Sequence, residues 1–390
     1  MAGIVRYVDQ SLTRLMLSRI KRAIVLAPGW RTLQKLLVIQ SDDWFAIRTS
    51  GAEALRRLKD LGVQCERCHY MQNDHFERGE DLSALFETLH SVRDTAGRPA
   101  VITANCLSAN PDFTRIEQSG FTEYHAEASM DTAAHIYGAE DNPEIWRQAI
   151  DSNICEPQSH GREHLHIQRW LRALQSNNEQ ITRTAFADRM FGVSGHVVPD
   201  RRESFLAALD TTLEPSPADP EPILVEALAG FQAMFGFSSR SFIAPNYVWA
   251  ESVEEILHRH GVEYIQSGRV QWYPSADGSR RCRRRRFLGN SNRLGQRYLV
   301  RNVDFEPASN PSIDWIDLAL GEIRLAFRLR KPAIISTHRV NFMGGLDPGN
   351  RDRGLRDLQE LLRAVVRYWP EVEFISTTEL GDRIRGKQNP

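Results

Sequence analysis

The sequence predicts an α/β fold built on a parallel sheet or barrel, and two observations predict it. Short apolar runs alternate with helical patterns through most of the chain, as strands joined by crossover helices do. The chemically distinctive residues mostly follow directly on those runs, where parallel barrels present their active groups.

Leu36–Gln40 is an apolar run ended by Ser41-Asp42-Asp43, a buried strand delivering carboxylates at its C-terminal end. Ala52–Leu61 is helical and stops at Gly62; Asp81–Arg93 gives a second amphipathic helix, and Ala100–Ala104 a second strand. A helix is expected to start at Ser159, a suitable N-cap, and to continue through Trp170–Leu174. Glu214–Pro222 holds four prolines and reads as a loop, an insertion within one domain. Helices then follow at Ile223–Phe235, closed by Gly236, at Ser252–His260, closed by Gly261, at Ile313–Leu329 and at Gly354–Tyr368. Strands are expected at Phe242–Ala244, Tyr264–Gln266, Ala333–Ser336 and Val372–Ser376. Val5, Val8, Leu12, Leu15, Met16 and Ile20 recur at helical spacing among basic residues. This predicts an N-terminal helical extension over 1–35, packed on a main domain over 36–385. The alternative is peripheral contact of that helix with a membrane surface.

Of the 390 residues, 41% are hydrophobic and 25% charged, with a net charge of −1. Such balance supplies no global drive toward nucleic acid or membrane. Five cysteines scattered along the chain make no disulfide framework and suit a reducing compartment. No run approaches the roughly 18 to 20 apolar residues of a membrane span. Ala23–Ala27, cut by Pro28-Gly29, falls short of the about 7 to 15 residues of a signal-peptide core. The expected location is cytoplasmic. Arg281 and Arg283–Arg286 stand in the polar segment Ser275–Asn292. They read either as a solvated loop or as a docking site for an anion: a nucleotide-linked sugar, a lipid-pyrophosphate-linked glycan or an acidic membrane surface. Nucleic acid is disfavoured, since no recognised binding motif accompanies them.

One carboxylate and two histidines suffice to hold a divalent metal. On a helix His160 and His164 share a face, and Asp43 completes a two-histidine, one-carboxylate set with open positions. Asp42 and His338 are then left over as a base and an acid. The same set suits non-haem iron oxygenases, so the reaction class stays open at this point. His160-x-x-Glu163-His164 also matches an inverted zinc-peptidase signature with Glu163 as base, a reading that leaves Asp42, Asp43 and His338 without roles. Cys65-x-x-Cys68-His69 matches a haem-attachment pattern, but with no export signal it reads as a surface turn. Trp44, Tyr247, Trp249 and Trp315 are either core or a sugar platform. Trp44 and Tyr247 are the substrate candidates because they adjoin the motifs. Asp304 and Glu306, after the strand-like Tyr298–Val303, line a cleft or cap the strand end.

Taken in order, these segments resemble the NodB-type polysaccharide deacetylases. Ser41-Asp42-Asp43-Trp44 matches the family's Asp-Asp motif, His160 to His164 its His-x-x-x-His motif, and Ile335-Ser336-Thr337-His338 its late histidine motif. Asp314-Trp315 and Phe374–Leu380 are similar to the family's penultimate and closing segments. Ala104-Asn105, Asn110–Phe113, Pro157–His164 and His338–Phe342 resemble a bacterial subgroup linked to surface-polysaccharide loci.

The resemblance implies a distorted (β/α) barrel. It implies a divalent metal, most commonly zinc, on Asp43, His160 and His164, with Asp42 as general base and His338 as general acid. Trp44, Arg162, Asn246, Tyr247, Arg339 and Asn341, in or beside these motifs, are the candidate substrate-binding residues, with a backbone N–H near Asn246 sharing the oxyanion. The family usually carries an arginine that orients the base where this chain has Ile243; Arg240 and Arg339 are the candidate replacements. The implied activity is metal-dependent removal of an N-acetyl or related acyl group from an amino sugar of a surface-glycan precursor, nucleotide- or lipid-linked. The alternatives are an O-acetyl esterase or deformylase on the same site, and an inactive glycan-binding or scaffold protein, which the loss at Ile243 alone supports.

Overall fold

The computed structural model describes residues 23–176, 179–197, 200 and 203–386. The helix expected within the first twenty residues lies outside them. Nine strands form the main sheet: β1 (Lys35–Trp44), β2 (Ile102–Cys106), β3 (Cys155–Ser159), β4 (Ser241–Ile243), β5 (Tyr264–Ser267), β6 (Arg297–Val300), β7 (Val303–Asp304), β8 (Ala333–His338) and β9 (Val372–Phe374). Their order is β6-β5-β4-β3-β2-β1-β8-β7, with β9 beside the start of β1, and every pairing is parallel. The two edge strands β6 and β7 are halves of one extended segment. Between them the Arg301 amide donates to the Ser267 carbonyl at 3.0 Å and the Asn302 amide to the Ile334 carbonyl at 3.1 Å. That segment therefore joins one edge of the sheet to the other, and the sheet closes as a distorted barrel.

The β1 run is apolar because both its faces are covered. Leu37 and Ile39 pack with Ile102, Ala104, Ala333 and Ile335 in a core that also takes in Leu82, Ile323, Leu358 and Leu362 from the helices. The alternate positions Gln40 and Asp42, with Thr103, Asn105 and Gln266, carry buried hydrogen-bonding side chains instead. The expected helices form at Ala52–Asp60, Gly79–His90, Pro220–Phe235, Glu251–Arg259, Trp315–Arg328 and Pro348–Tyr368. Asp219 caps the third of these, with Pro220 and Pro222 in its first turn, so the proline-rich loop ends earlier than the prolines suggested. In the last, Gly354 lies against the backbone of Asn341, where a Cβ would meet that carbonyl oxygen at 1.8 Å. Only glycine lets this helix seat against the turn after β8.

The arginine-rich segment is not a loop. Arg281–Arg285 is a strand paired antiparallel with Val270–Pro274. The buried ammonium of Lys331 donates to the carbonyls of Pro28, Gly29 and Trp30 at 2.7, 2.7 and 2.8 Å, clamping that segment to the barrel. Among the described residues, no helix is long and apolar enough to cross a membrane.

Candidate active site

Adjacent strand residues ordinarily face opposite sides of a sheet, yet Asp42 and Asp43 both serve one site. The pairing of β1 with β2 shifts register between Ser41 and Trp44, and Asp43 adopts a left-handed φ of 73°. This bulge turns the Asp43 carboxylate out of the alternation. Asp42 keeps its place on the strand, directly across from His338 on β8.

Asp43 Oδ1 lies 3.5 Å from His160 Nε2 and 3.6 Å from His164 Nε2. These side chains offer ligand atoms that all fall within 4.8 Å of one another, and all three are buried. The helix expected from Ser159 does not form. Ser159 ends β3, residues 160–166 run as an irregular loop, and the helix begins only at Ile167, capped by His166. Gly161, at φ 105°, makes the sharp turn that brings the two histidines together. A spacing of four is shared by a helix turn and by this loop, so the convergence was legible while its scaffold was not. His160 Nδ1 sits 2.9 Å from the Ile243 carbonyl. Donation there fixes the tautomer and leaves Nε2 as the free lone pair.

Asp43 Oδ1 is buried with no hydrogen-bond partner, although its carboxylate is ionised. Arg48 holds the other oxygen, Oδ2, at 2.9 Å. Burial alone would raise the Asp43 carboxyl pKa, but Arg48 and His164 reverse this and hold it well below the usual range. Burial keeps His164 neutral, with a pKa lowered to about 3 despite Asp43 beside it. An orphaned carboxylate oxygen facing two imidazole Nε2 atoms fits a divalent cation. Two donors each about 2.1 Å from a tetrahedral ion stand roughly 3.4 Å apart, close to the separations found.

The arginine absent at Ile243 is supplied from elsewhere, by neither expected residue. Arg240 pairs with Glu263 and Asp382, and Arg339 with Asp74 and Glu77. Instead Arg301, in the barrel-closing segment, forks onto Asp42 with Nη2–Oδ1 at 2.6 Å and Nη1–Oδ2 at 2.7 Å. Its Nε donates to Gln40 at 2.8 Å, and Asn105 adds a 2.7 Å bond to Asp42 Oδ1. Burial works against the Asp42 charge, but Arg301 outweighs it and sets the pKa at about 2. The signal was present in the sequence: an arginine inside the apolar run Tyr298–Val303 needs a buried partner.

His338 Nε2 faces Asp42 Oδ2 at 3.9 Å, and its Nδ1 bonds Glu306 Oε1 at 2.6 Å. Burial opposes the imidazolium, yet Glu306, then Asp43 and Asp42, lift its pKa to about 9. A cavity of about 130 Å³ opens between these groups, lined by Asp43, His164, His338 and Asn246 and walled by Cys68, Tyr70, Met71, Met190 and Leu206. Cys68 and Tyr70 thus line the site rather than a surface turn, and all five cysteines are free.

Several expected substrate residues lie elsewhere. Trp44 is fully buried, bonded to Ser41 and packed edge-on against Trp146, so it is core and not a sugar platform. Arg339 is fully buried in the network Arg48–Asp74–Arg339–Glu77, which backs Asp43. Asn341, also fully buried, donates to Glu306 at 2.7 Å and so acts through that carboxylate. Arg162 is held by Glu163 and Glu226. Trp249 is buried, and Trp315 packs partly against the core. The Tyr247 hydroxyl accepts from Arg301 at 3.2 Å, and its amide is committed to Ala244, so its backbone offers no oxyanion donor. Asn246 remains exposed at the cavity rim.

No family model and no curated protein matches the chain. Among solved structures it does find counterparts. A probable polysaccharide deacetylase from Pseudomonas aeruginosa PAO1 is 10% identical over 91% of this chain and 92% of that one, with a TM-score of 0.45. The chain is similar to deacetylases of known structure. An allantoinase is 11% identical over 93% and 95%, at 0.47. A CE4 family pseudoenzyme from Bacillus anthracis is 12% identical over 89% of this chain and 65% of that one, at 0.35. A deacetylase, an allantoinase and a pseudoenzyme do not select a reaction, so the chemistry rests on the site itself.

Proposed function

We propose that this chain is a metal-dependent hydrolase that removes an N-acetyl or related acyl group from an amino sugar of a surface-glycan precursor. The observation that carries the reading is the placement of three functions at one site, whose cavity is lined by Asp43, His164 and His338. Asp43, His160 and His164 converge on one side, the Asp42–Arg301 pair stands beside them, and the His338–Glu306 pair stands across β1. A divalent ion on the first three would polarise the acyl carbonyl and acidify a water.

Asp42, ionised and clamped by Arg301, would serve as the base that accepts the attacking water's proton. His338, charged through Glu306, has Nε2 free to protonate the departing amine. Arg48 draws one Asp43 oxygen away and leaves the other aimed at the histidines. The inactive-scaffold alternative rested on Ile243, and Arg301 removes that support. Zinc is the ion the resemblance implies, and two imidazoles with a carboxylate are a donor set that accepts it.

The test is to load purified protein with zinc and assay N-acetylated amino sugars, beside O-acetylated and N-formylated ones, free and nucleotide-linked, for released acid and new primary amine. Equal amounts of both, lost in Asp42→Asn, are the expected result. Acetate without amine points to the esterase alternative and formate to the deformylase. No release from any of them contradicts the reading.

A further inference from the structure

The paired strands Val270–Pro274 and Arg281–Arg285 leave β5 at the end of the barrel that carries the site. The Trp249 amide bonds the Trp272 carbonyl at 3.0 Å, and Gly268, just before the pair, lies against the ring of Tyr247. The ribbon therefore stands on the rim beside Asn246. Its arginines alternate between faces, Arg284 on one and Arg281, Arg283 and Arg285 on the other. Arg284 pairs with Glu251 and Arg286 with Glu254, while Arg281, at the strand's start, pairs with Asp210. Arg283 and Arg285 are exposed, and among the described residues neither forms an ion pair. They stand opposite Trp272 and Val270, so all four share one face. Trp272 is 37% exposed.

An exposed indole directly across from one unpaired guanidinium and diagonal to the other is a surface for a flat, anionic partner. We propose that this face binds the carboxylate or phosphate groups of an acidic glycan whose reacting unit occupies the cavity, which rests on the hydrolase reading above. Arg283 and Arg285 are two residues apart on a strand, about 7 Å, and so contact successive charged groups rather than one. Each basic side chain at an anionic surface contributes roughly five-fold, so the pair gives about 30-fold. That is too little to hold a protein on a membrane by itself, and ample to select among substrates already held at the cavity.

The test measures binding separately from turnover, with three probes: oligogalacturonides, neutral chitotetraose and phosphatidylglycerol vesicles. The protein should bind oligogalacturonides with an affinity that falls as salt is added. The Arg283→Ser/Arg285→Ser double variant should bind them about 30-fold more weakly, and Trp272→Ala should also weaken them, with melting temperature and chitotetraose binding unchanged. Asp43→Ala should keep the acidic-glycan affinity, so failure of the hydrolase reading and failure of this one are read apart. Equal affinity of wild type and double variant overturns the proposal. So does capture by vesicles without binding of the acidic oligomers, which assigns the face to a membrane.

Discussion

Replacing Arg301 with leucine is expected to cut kcat/KM by about 10²- to 10⁴-fold, the range associated with a positioned general base. Arg301 forks onto both oxygens of Asp42 inside the barrel, where both side chains are almost fully buried. Without the guanidinium, burial is opposed only by the weaker influence of His160 and His338 and raises the Asp42 carboxyl from about 2. The acid limb of the pH–rate profile should therefore move to higher pH, a shift that a merely structural role would not produce. An unpaired buried carboxylate also costs about 3–5 kcal/mol, so denaturant unfolding must be measured alongside. Arg301→Lys restores the charge without the fork and should recover the acid limb more than the rate. The paired change Arg301→Leu with Asp42→Asn should regain stability, because no charge is left stranded, while activity stays lost. An Arg301→Leu enzyme with wild-type rate and profile removes Asp42 from the role of base.

His338→Ala should lower kcat by a comparable factor, and Glu306→Gln gives the sharper result. The acid must be protonated, so the rate falls as pH rises through the His338 pKa, about 9 without a bound cation. A cation in the site opposes the imidazolium and places that limb lower. Glu306 is the main group holding the proton against burial. Its neutral amide should move the alkaline limb to lower pH by a unit or more, roughly the worth of a buried charge-assisted hydrogen bond. An ester substrate, whose alkoxide leaves more readily than an amine, should lose less rate than an amide. Profiles of kcat/KM for wild type and Glu306→Gln on the same amide check this, and an unmoved alkaline limb rules out His338 as the acid.

Much of the barrel was legible because its strands are short apolar runs buried on both faces. Leu36–Gln40 and Ala333–Ser336 each fell inside an observed strand. The carboxylates and histidines stood where parallel strands end, so their type and order pointed to a candidate metal set. What escaped depended on the path between elements. A spacing of four suggested a helix at His160, where a glycine turn does the work. Trp44 looked functional because it adjoins Asp43, but the bulge that turns Asp43 outward leaves Trp44 in the core. Arg48, Tyr70, Met190 and Leu206 reach one cavity from distant segments, and no local pattern encodes that meeting. Arg301 was within reach, since a charge inside an apolar run demands a partner. Only the closing of the barrel shows that the partner is Asp42.

The central claim is that Asp43, His160 and His164 hold one divalent ion. Elemental analysis of purified protein, beside Asp43→Ala and His164→Ala variants shown to be folded, tests it most directly. The account predicts about one zinc or similar ion per chain in the wild type and loss of it in both variants, because two remaining donors bind too weakly to retain it. A wild-type protein that is empty and takes up no added zinc, or variants that keep their ion, would contradict it.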